Sequence, residues 1–384
     1  PQGTRFWKGD TISSIPLHSA TNLITIDEQA ASIKKGNPCA YLIIRFLHRP
    51  PKSWRDLHPG EFFIDEDGIV HDTPSLASDL FWEKASEFCT ALIRYVESSS
   101  WADRVIGYMN IHLAEGVHIP VAEGYLYDHN PSMVQQWRQF LMKKYGTVEK
   151  LRAAYGDSMA MFETMQVPKD RLRGPVPVVA NILYWQNAAD NRGLRDYLEL
   201  QRELFHRRFR QISAAMEKGA DRHVLFMHDA MKQPMQGWNL FGFFSIGQER
   251  TTSWSPAFPE LMAGSGSIGV ADLFSDTPGF TGLITPHDYQ ARGLGGVYEP
   301  EGMADSAVLR GACFWSEMDT RYCVNCRSDG SQTLGAAHTV EQWAALTWRN
   351  FAAGWTRGFS SYWHHSWTVA DDWFFQEELH DVIR

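Results

Sequence analysis

The sequence predicts an α/β fold, a (β/α)8 TIM barrel. Three observations carry that prediction: short apolar strands alternate with amphipathic helices, the strands are apolar on both faces, and the polar and aromatic residues gather just after the strands. Strands buried on both faces belong to a parallel sheet. Chemistry collected at one end of every strand is the habit of a barrel rather than of a doubly wound sheet. The chain has 384 residues, which suits one barrel with long loops, so residues 1–384 are expected to form a single domain.

The elements follow in order. Residues 40–46 (AYLIIRF) form an apolar, β-branched run containing Arg45, and a loop rich in Pro, His and Trp that includes His48 comes next. Leu80, Phe81, Ala85, Phe88, Leu92 and Tyr95 then recur at helical spacing, which predicts an amphipathic helix over about 76–96. A short strand is expected at 105–109. A helix is expected at 131–145, with Asn130 as its cap, Pro131 at its first position and Gly146 just past its end. A long helix over about 193–218 leads to a strand at 224–227 that ends at His228 and Asp229. Segments 270–274 and 282–285 compete to be the next strand. Strands at 312–316 and 358–363, separated by a helix at about 340–353, close the series. Six or seven strands, against eight in a closed barrel, predict a barrel truncated by one or two strands at its N-terminus and leave a C-terminal truncation open.

Composition narrows the function. The formal charge is −9, from 36 basic and 45 acidic residues, and the basic residues are spread along the chain, which argues against nucleic acid as a partner. The apolar runs are short and broken, so no membrane span is expected. Aromatic residues make up 13%, with 15 Trp. Beyond filling a core, such rings pack on the C–H faces of sugars, and a neutral, polar ligand of carbohydrate type fits the charge. Five cysteines are too few and too scattered for a disulfide framework. Cys323-Val-Asn-Cys326 is a single CxxC without a second pair, so it reads as a loop, and neither a metal nor a cofactor is expected.

Glycosidic bonds are commonly broken by two carboxyl groups on opposite sides of the anomeric carbon. Two acids stand after strands, where barrel chemistry is done: Glu115 after 105–109 and Glu317 after 312–316. Arg321 lies close enough in sequence to Glu317 to hold a carboxylate ionised. Glu123, in the same loop as Glu115, competes with it. Other residues at strand ends are candidates to line a sugar pocket: Arg45, His48, His228 and Asp229, then Tyr289 and Arg292, then Trp363, His364 and Trp367.

The run Val105-Ile-Gly-Tyr, then an acid, then Tyr127-Asp-His-Asn-Pro, and then Trp137-Arg-Gln-Phe-Leu-Met-Lys-Lys-Tyr-Gly-Thr-Val-Glu-Lys-Leu-Arg-Ala-Ala-Tyr-Gly156 resembles glycoside hydrolase family 42 and related clan A β-galactosidase-like barrels. The Tyr-Gly-Thr-x-Glu-x-Leu-x-x-x-Tyr-Gly stretch is its most specific part. The runs from Thr285 to Arg292 and from Ser316 to Arg321 are similar to sequences of the same group. The resemblance spans most of residues 40–367. It implies an acid/base at the end of barrel strand four and a nucleophile at the end of strand seven, roles that fall on Glu115 and Glu317. Such barrels commonly carry Asn just before the acid/base, where it meets the sugar 2-hydroxyl. Ala114 stands there in this chain, and Asn110 is the candidate to supply the contact.

The expected activity is therefore retaining hydrolysis of terminal β-glycosidic bonds of the β-galactosidase type. A β-mannosidase, a β-glucosidase or a polysaccharide-acting glycosidase is the alternative on the same scaffold, and a non-catalytic carbohydrate-binding barrel is the alternative of another class. The resemblance also implies a homo-oligomer, a trimer.

Overall fold

The computed structural model describes residues 6–16, 24–112, 127–169, 192–229, 271–287, 293–300, 302–318, 320, 322, 336–363 and 376–384. The chain opens on a small antiparallel hairpin, β1 (Trp7–Lys8) and β2 (Thr11–Ile12), and a helix, α1 (Ile26–Gly36). Thr25 starts that helix with a capping box: its hydroxyl accepts from Glu28 N at 3.1 Å, and the Glu28 carboxylate accepts from Thr25 N at 2.6 Å. Next come β3 (Leu42–Phe46), α2 (Lys52–Leu57), and an antiparallel pair, β4 (Phe62–Ile64) with β5 (Val70–Pro74). The alternation then settles into α3 (Asp79–Glu97), β6 (Val105–Asn110), α4 (Pro131–Tyr145), α5 (Val148–Tyr155), α6 (Arg192–Glu217) and β7 (Leu225–Asp229). It continues through α7 (Ala271–Asp276), β8 (Gly282–Pro286), α8 (Ala304–Leu309), β9 (Cys313–Met318), α9 (Val340–Thr356), β10 (Ser360–Trp363) and α10 (Glu377–Ile383).

Six strands make one parallel sheet in the order β10-β9-β8-β7-β6-β3. Each strand lies beside the next one in the chain to join the sheet, and the order never reverses. A doubly wound sheet requires such a reversal, whereas a barrel wall does not. The fold is thus of the (β/α)8 type, and among the described residues its sheet holds six strands and has two edges, β3 and β10. Of the two segments competing for one strand, 282–286 is the strand and the earlier one lies in α7.

Successive strand side chains point to opposite faces, which divides the core in two. On one face Met109, Met227 and Ile284 form a cluster with Ile43, Leu225, Trp315 and Tyr362, all strand residues; this is the lumen. On the other face the sheet packs on helices. The largest cluster there takes Phe46, Tyr108 and Phe226 from strands and Phe81, Trp82, Ala85, Phe88, Cys89, Leu92 and Ile93 from α3. The periodic apolar residues on α3 are therefore the ones it buries. Ser78 caps that helix, accepting from Phe81 N at 3.0 Å.

The stretch that carries the family resemblance is built from helix ends. Asn130 caps α4 through Ser132 N at 2.9 Å, Pro131 takes the first position, and Gly146 ends the helix at φ 74°. Thr147 then caps α5, which Gly156 closes in the left-handed region at φ 62°. Tyr145 and Tyr155, at the ends of these two helices, both donate to buried Asp196 on α6, at 2.5 and 3.0 Å, and Lys144 pairs with the same carboxylate at 3.0 Å. On α9, Trp343 is fully buried, while Trp348 and Trp355 are 62% and 73% exposed on the other side. Among the described residues no helix is long and apolar enough to cross a membrane.

Candidate active site

The lumen face carries the polar residues that matter. Continuing the alternation two residues beyond Ile43, Met227 and Trp315 brings Arg45, Asp229 and Glu317 to the same face, toward the C-terminal ends of β3, β7 and β9. Glu317 and Asp229 are buried. In the β9–β10 pairing Glu317 lies level with Tyr362, and the Tyr362 hydroxyl donates a hydrogen bond to Glu317 Oε2. The ring of Trp315 lies 6.5 Å from that of Tyr362, below the pair. Burial, and then the charge of Glu317 and the hydrogen bond to it, push the Tyr362 phenol well above its ordinary range; Asp229 adds to the rise and Arg45 opposes it. Side chains from three other strands thus act electrostatically on Tyr362 in the lumen. The raised phenol remains a donor, and the bond fixes the plane of the Glu317 carboxylate.

The residues singled out in the sequence divide between the two faces. Arg45, Asp229 and Glu317 face the lumen. His48, Asn110 and His228 do not: in-register alternation turns Asn110 and His228 to the helix side, where His228 packs on Phe209, and His48, two residues past β3, packs there on Phe81 and Trp82. Trp363 also points to that side, packed against clusters that include Phe205 and Trp343. These four belong to the layer behind the sheet rather than to the lumen wall. Glu115, Glu123, Tyr289, Arg292, Arg321, His364, Trp367 and the CxxC pair lie outside the described residues. Among those described, no group of His, Cys, Asp and Glu is arranged to hold a metal.

Sequence reasoning missed Tyr362 and Trp315. Strand phase is the signal that selects them: once the face of Glu317 is known, Trp315 lies two residues back from it on the same strand, and Tyr362, one residue back from Trp363, lies level with it on the next.

No known protein-family profile matches the sequence. A β-1,2-glucosyltransferase of Ignavibacterium album is 23% identical over 176 residues, which is 41% of this chain and 23% of that protein, so the chain matches less than a quarter of that relative's length. Among solved structures, the catalytic domain of a β-amylase from Paenibacillus polymyxa aligns over 88% of this chain and 78% of its own, with a TM-score of 0.54 and 13% identity. A β-galactosidase from the haloarchaeon Halorubrum lacusprofundi aligns over 88% and 44%, with a TM-score of 0.52 and 14% identity. An exo-carrageenase of glycoside hydrolase family 42 from Bacteroides ovatus aligns over 94% and 46%, with a TM-score of 0.52 and 10% identity. The chain thus spans under half the length of two of these three structures. These likenesses give the fold, a barrel of the kind found in glycoside hydrolases.

Proposed function

We propose that the chain is a retaining glycoside hydrolase that removes terminal β-linked sugars of the β-galactoside type, and that residues 1–384 act as one catalytic barrel domain. The observation that carries this reading is the buried Glu317 carboxylate, turned into the lumen at the end of β9 and oriented by Tyr362. A carboxylate so held acts as a nucleophile in double displacement. A Glu317 oxygen bonds to the anomeric carbon as the bond to the leaving oxygen breaks, and Glu115 gives that oxygen its proton. Water then attacks the same carbon, passing a proton to Glu115 and freeing Glu317. Arg45 and Asp229, beside the pair, supply polar groups to grip the sugar hydroxyls.

The reading is tested with aryl β-galactosides and β-glucosides. Glu317→Gln is expected to abolish turnover, a loss of about 10⁴-fold or more, in a protein that still melts cooperatively. NMR of the first product should show the β-anomer. Retained turnover in the variant, or an α-anomer appearing first, would remove Glu317 as nucleophile. In a trapped complex the two carboxyl groups should stand about 5–5.5 Å apart.

The likeness to a β-1,2-glucosyltransferase favours one second reading. The same covalent intermediate would be attacked by a sugar hydroxyl instead of water, and the two readings part on whether added glucose diverts product into a disaccharide.

A further inference from the structure

Behind the sheet, four polar side chains from strand ends and one from a helix form a continuous hydrogen-bonded chain. His48 Nδ1 lies 3.1 Å from Asn110 Oδ1, which also accepts from the backbone N–H of His112 at 2.9 Å. Because that oxygen only accepts, His48 carries its proton on Nδ1. His112 Nε2 meets His228 Nδ1 at 3.0 Å, and His228 Nε2 meets the Ser213 hydroxyl on α6 at 3.1 Å. All five residues are buried. The His112 ring also lies parallel to Phe209, with centroids 5.5 Å apart and 9° between planes.

Apolar residues would fill this layer at lower cost, since each buried polar group gives up its hydration. The cost is visible in His48 and His228, whose pKa values burial lowers to about 4 and about 3. His48 Nε2 and Asn110 Nδ2 are buried without a hydrogen-bond partner, which adds to that cost, yet a directional polar chain does what packed methyl groups do not: it selects one arrangement among several. The element held here is the backbone where the chain leaves β6. His112 adopts φ 60°, and it is the one non-glycine residue with positive φ among those described. Such a conformation persists when its surroundings over-determine it. The bonds from Asn110 and His228, with the Phe209 stack, do so.

The segment that starts at this point, residues 113–126, contains both Glu115 and Glu123. Its far side is fixed as firmly. Asp128 accepts from Ile64 N at 3.1 Å, Asn130 N at 2.9 Å and Ser75 Oγ at 2.6 Å, while its own N–H donates to the Tyr197 hydroxyl at 2.8 Å.

We propose that His48, Asn110, His112, His228 and Ser213 form a positioning device for the proton donor of the reaction, acting by fixing the backbone at His112, three positions before Glu115 in the sequence. The inference rests on the double-displacement reading above. These residues touch no substrate; they act through the chain they hold.

The test separates proton donation from every other step. A 2,4-dinitrophenyl β-glycoside loses its leaving group without a proton, whereas the methyl β-glycoside of the same sugar needs one. In His112→Gly the residue takes positive φ without strain, but the ring and its bond to His228 are gone. In His112→Asn the residue tolerates the same φ but is too short to reach His228. Both variants are expected to lose about 10²-fold in kcat/KM on the methyl glycoside and no more than about twofold on the dinitrophenyl glycoside, with melting still cooperative at a lowered midpoint because a buried ring is gone. Azide should raise kcat of the variants on the dinitrophenyl glycoside and give a β-glycosyl azide, because it attacks the intermediate without a base. An equal fall on both substrates, or no fall on either, would overturn the inference. Failure of the underlying reading shows elsewhere, in a wild-type protein that turns over neither glycoside or a Glu317→Gln variant that turns over both, before any change at His112.

Discussion

In the proposed mechanism Glu317 and Tyr362 form the smallest unit from which chemistry is built. A neutral hydroxyl bonded to a buried carboxylate contributes about 1.5–3 kcal/mol, so Tyr362→Phe is expected to lower kcat/KM by about 10–10²-fold. With Glu317 as the nucleophile proposed above, KM should change less than kcat, because the bond would orient that carboxylate rather than the sugar; an unchanged kcat would show that the phenol has no part in orientation. The place of Glu317 at the C-terminal end of β9 was legible in the sequence because a charged residue that closes an apolar run marks a strand end. Its partner was not, for a reason of geometry. Trp363, the final residue of the last strand, drew attention by its size, but side chains alternate with a period of two, and a choice one residue off lands on the opposite face. His48, Asn110 and His228 share that fate. Each follows a lumen residue by an odd number of positions, and sequence alone identified the strand end without its phase.

The helices show a different balance. Apolar spacing and caps located 131–145 to the residue, because Asn130, Pro131 and Gly146 mark both ends by local chemistry. The early pair β4 and β5 was read only as a long loop; its strands have 3 and 5 residues and are tied to the start of α4 by long-range contacts, among them His129 N to Ile64 O at 2.7 Å. No local pattern announces such a tie. The motif most like family 42, from Tyr145 to Gly156, turns out to hold α4 and α5 against α6 through Asp196. Asp196→Ala strands two tyrosine hydroxyls and removes one of the two carboxylates of Lys144, which keeps Glu199, and should cost about 2–4 kcal/mol. Urea unfolding reads this directly, with KM of the folded enzyme unchanged; a shift in KM at constant stability would instead tie the motif to the sugar site.

Over the whole molecule, the alternation of strands and helices was sufficient to predict the barrel, since a parallel sheet without strand reversal has few other closures. The buried histidines behind that sheet set its response to acid. Unfolded, His48 and His228 titrate near 6.5; folded, they titrate near about 4 and about 3 because burial disfavours their charged forms. Between those values the unfolded chain binds more protons, so their contribution is full above the unfolded pKa and is lost as pH falls through the window. His129 shifts in the same direction. Asp128 works against them: burial raises its carboxyl from 3.8 to about 6, so the folded form binds the extra proton and gains as pH falls from 6 toward 4. Three histidines outweigh one carboxylate, and the urea midpoint is expected to drop between about pH 6.5 and pH 4.5. A midpoint that rises over this interval would show that Asp128 dominates. Helix α9 also supplies an optical handle. Its Trp343 sits in the dry interior while Trp348 and Trp355 stand in water, so iodide dissolved in the buffer darkens the outer pair and spares the inner ring. One helix of 17 residues thereby carries both rings that a dissolved quencher reaches and a ring that it does not.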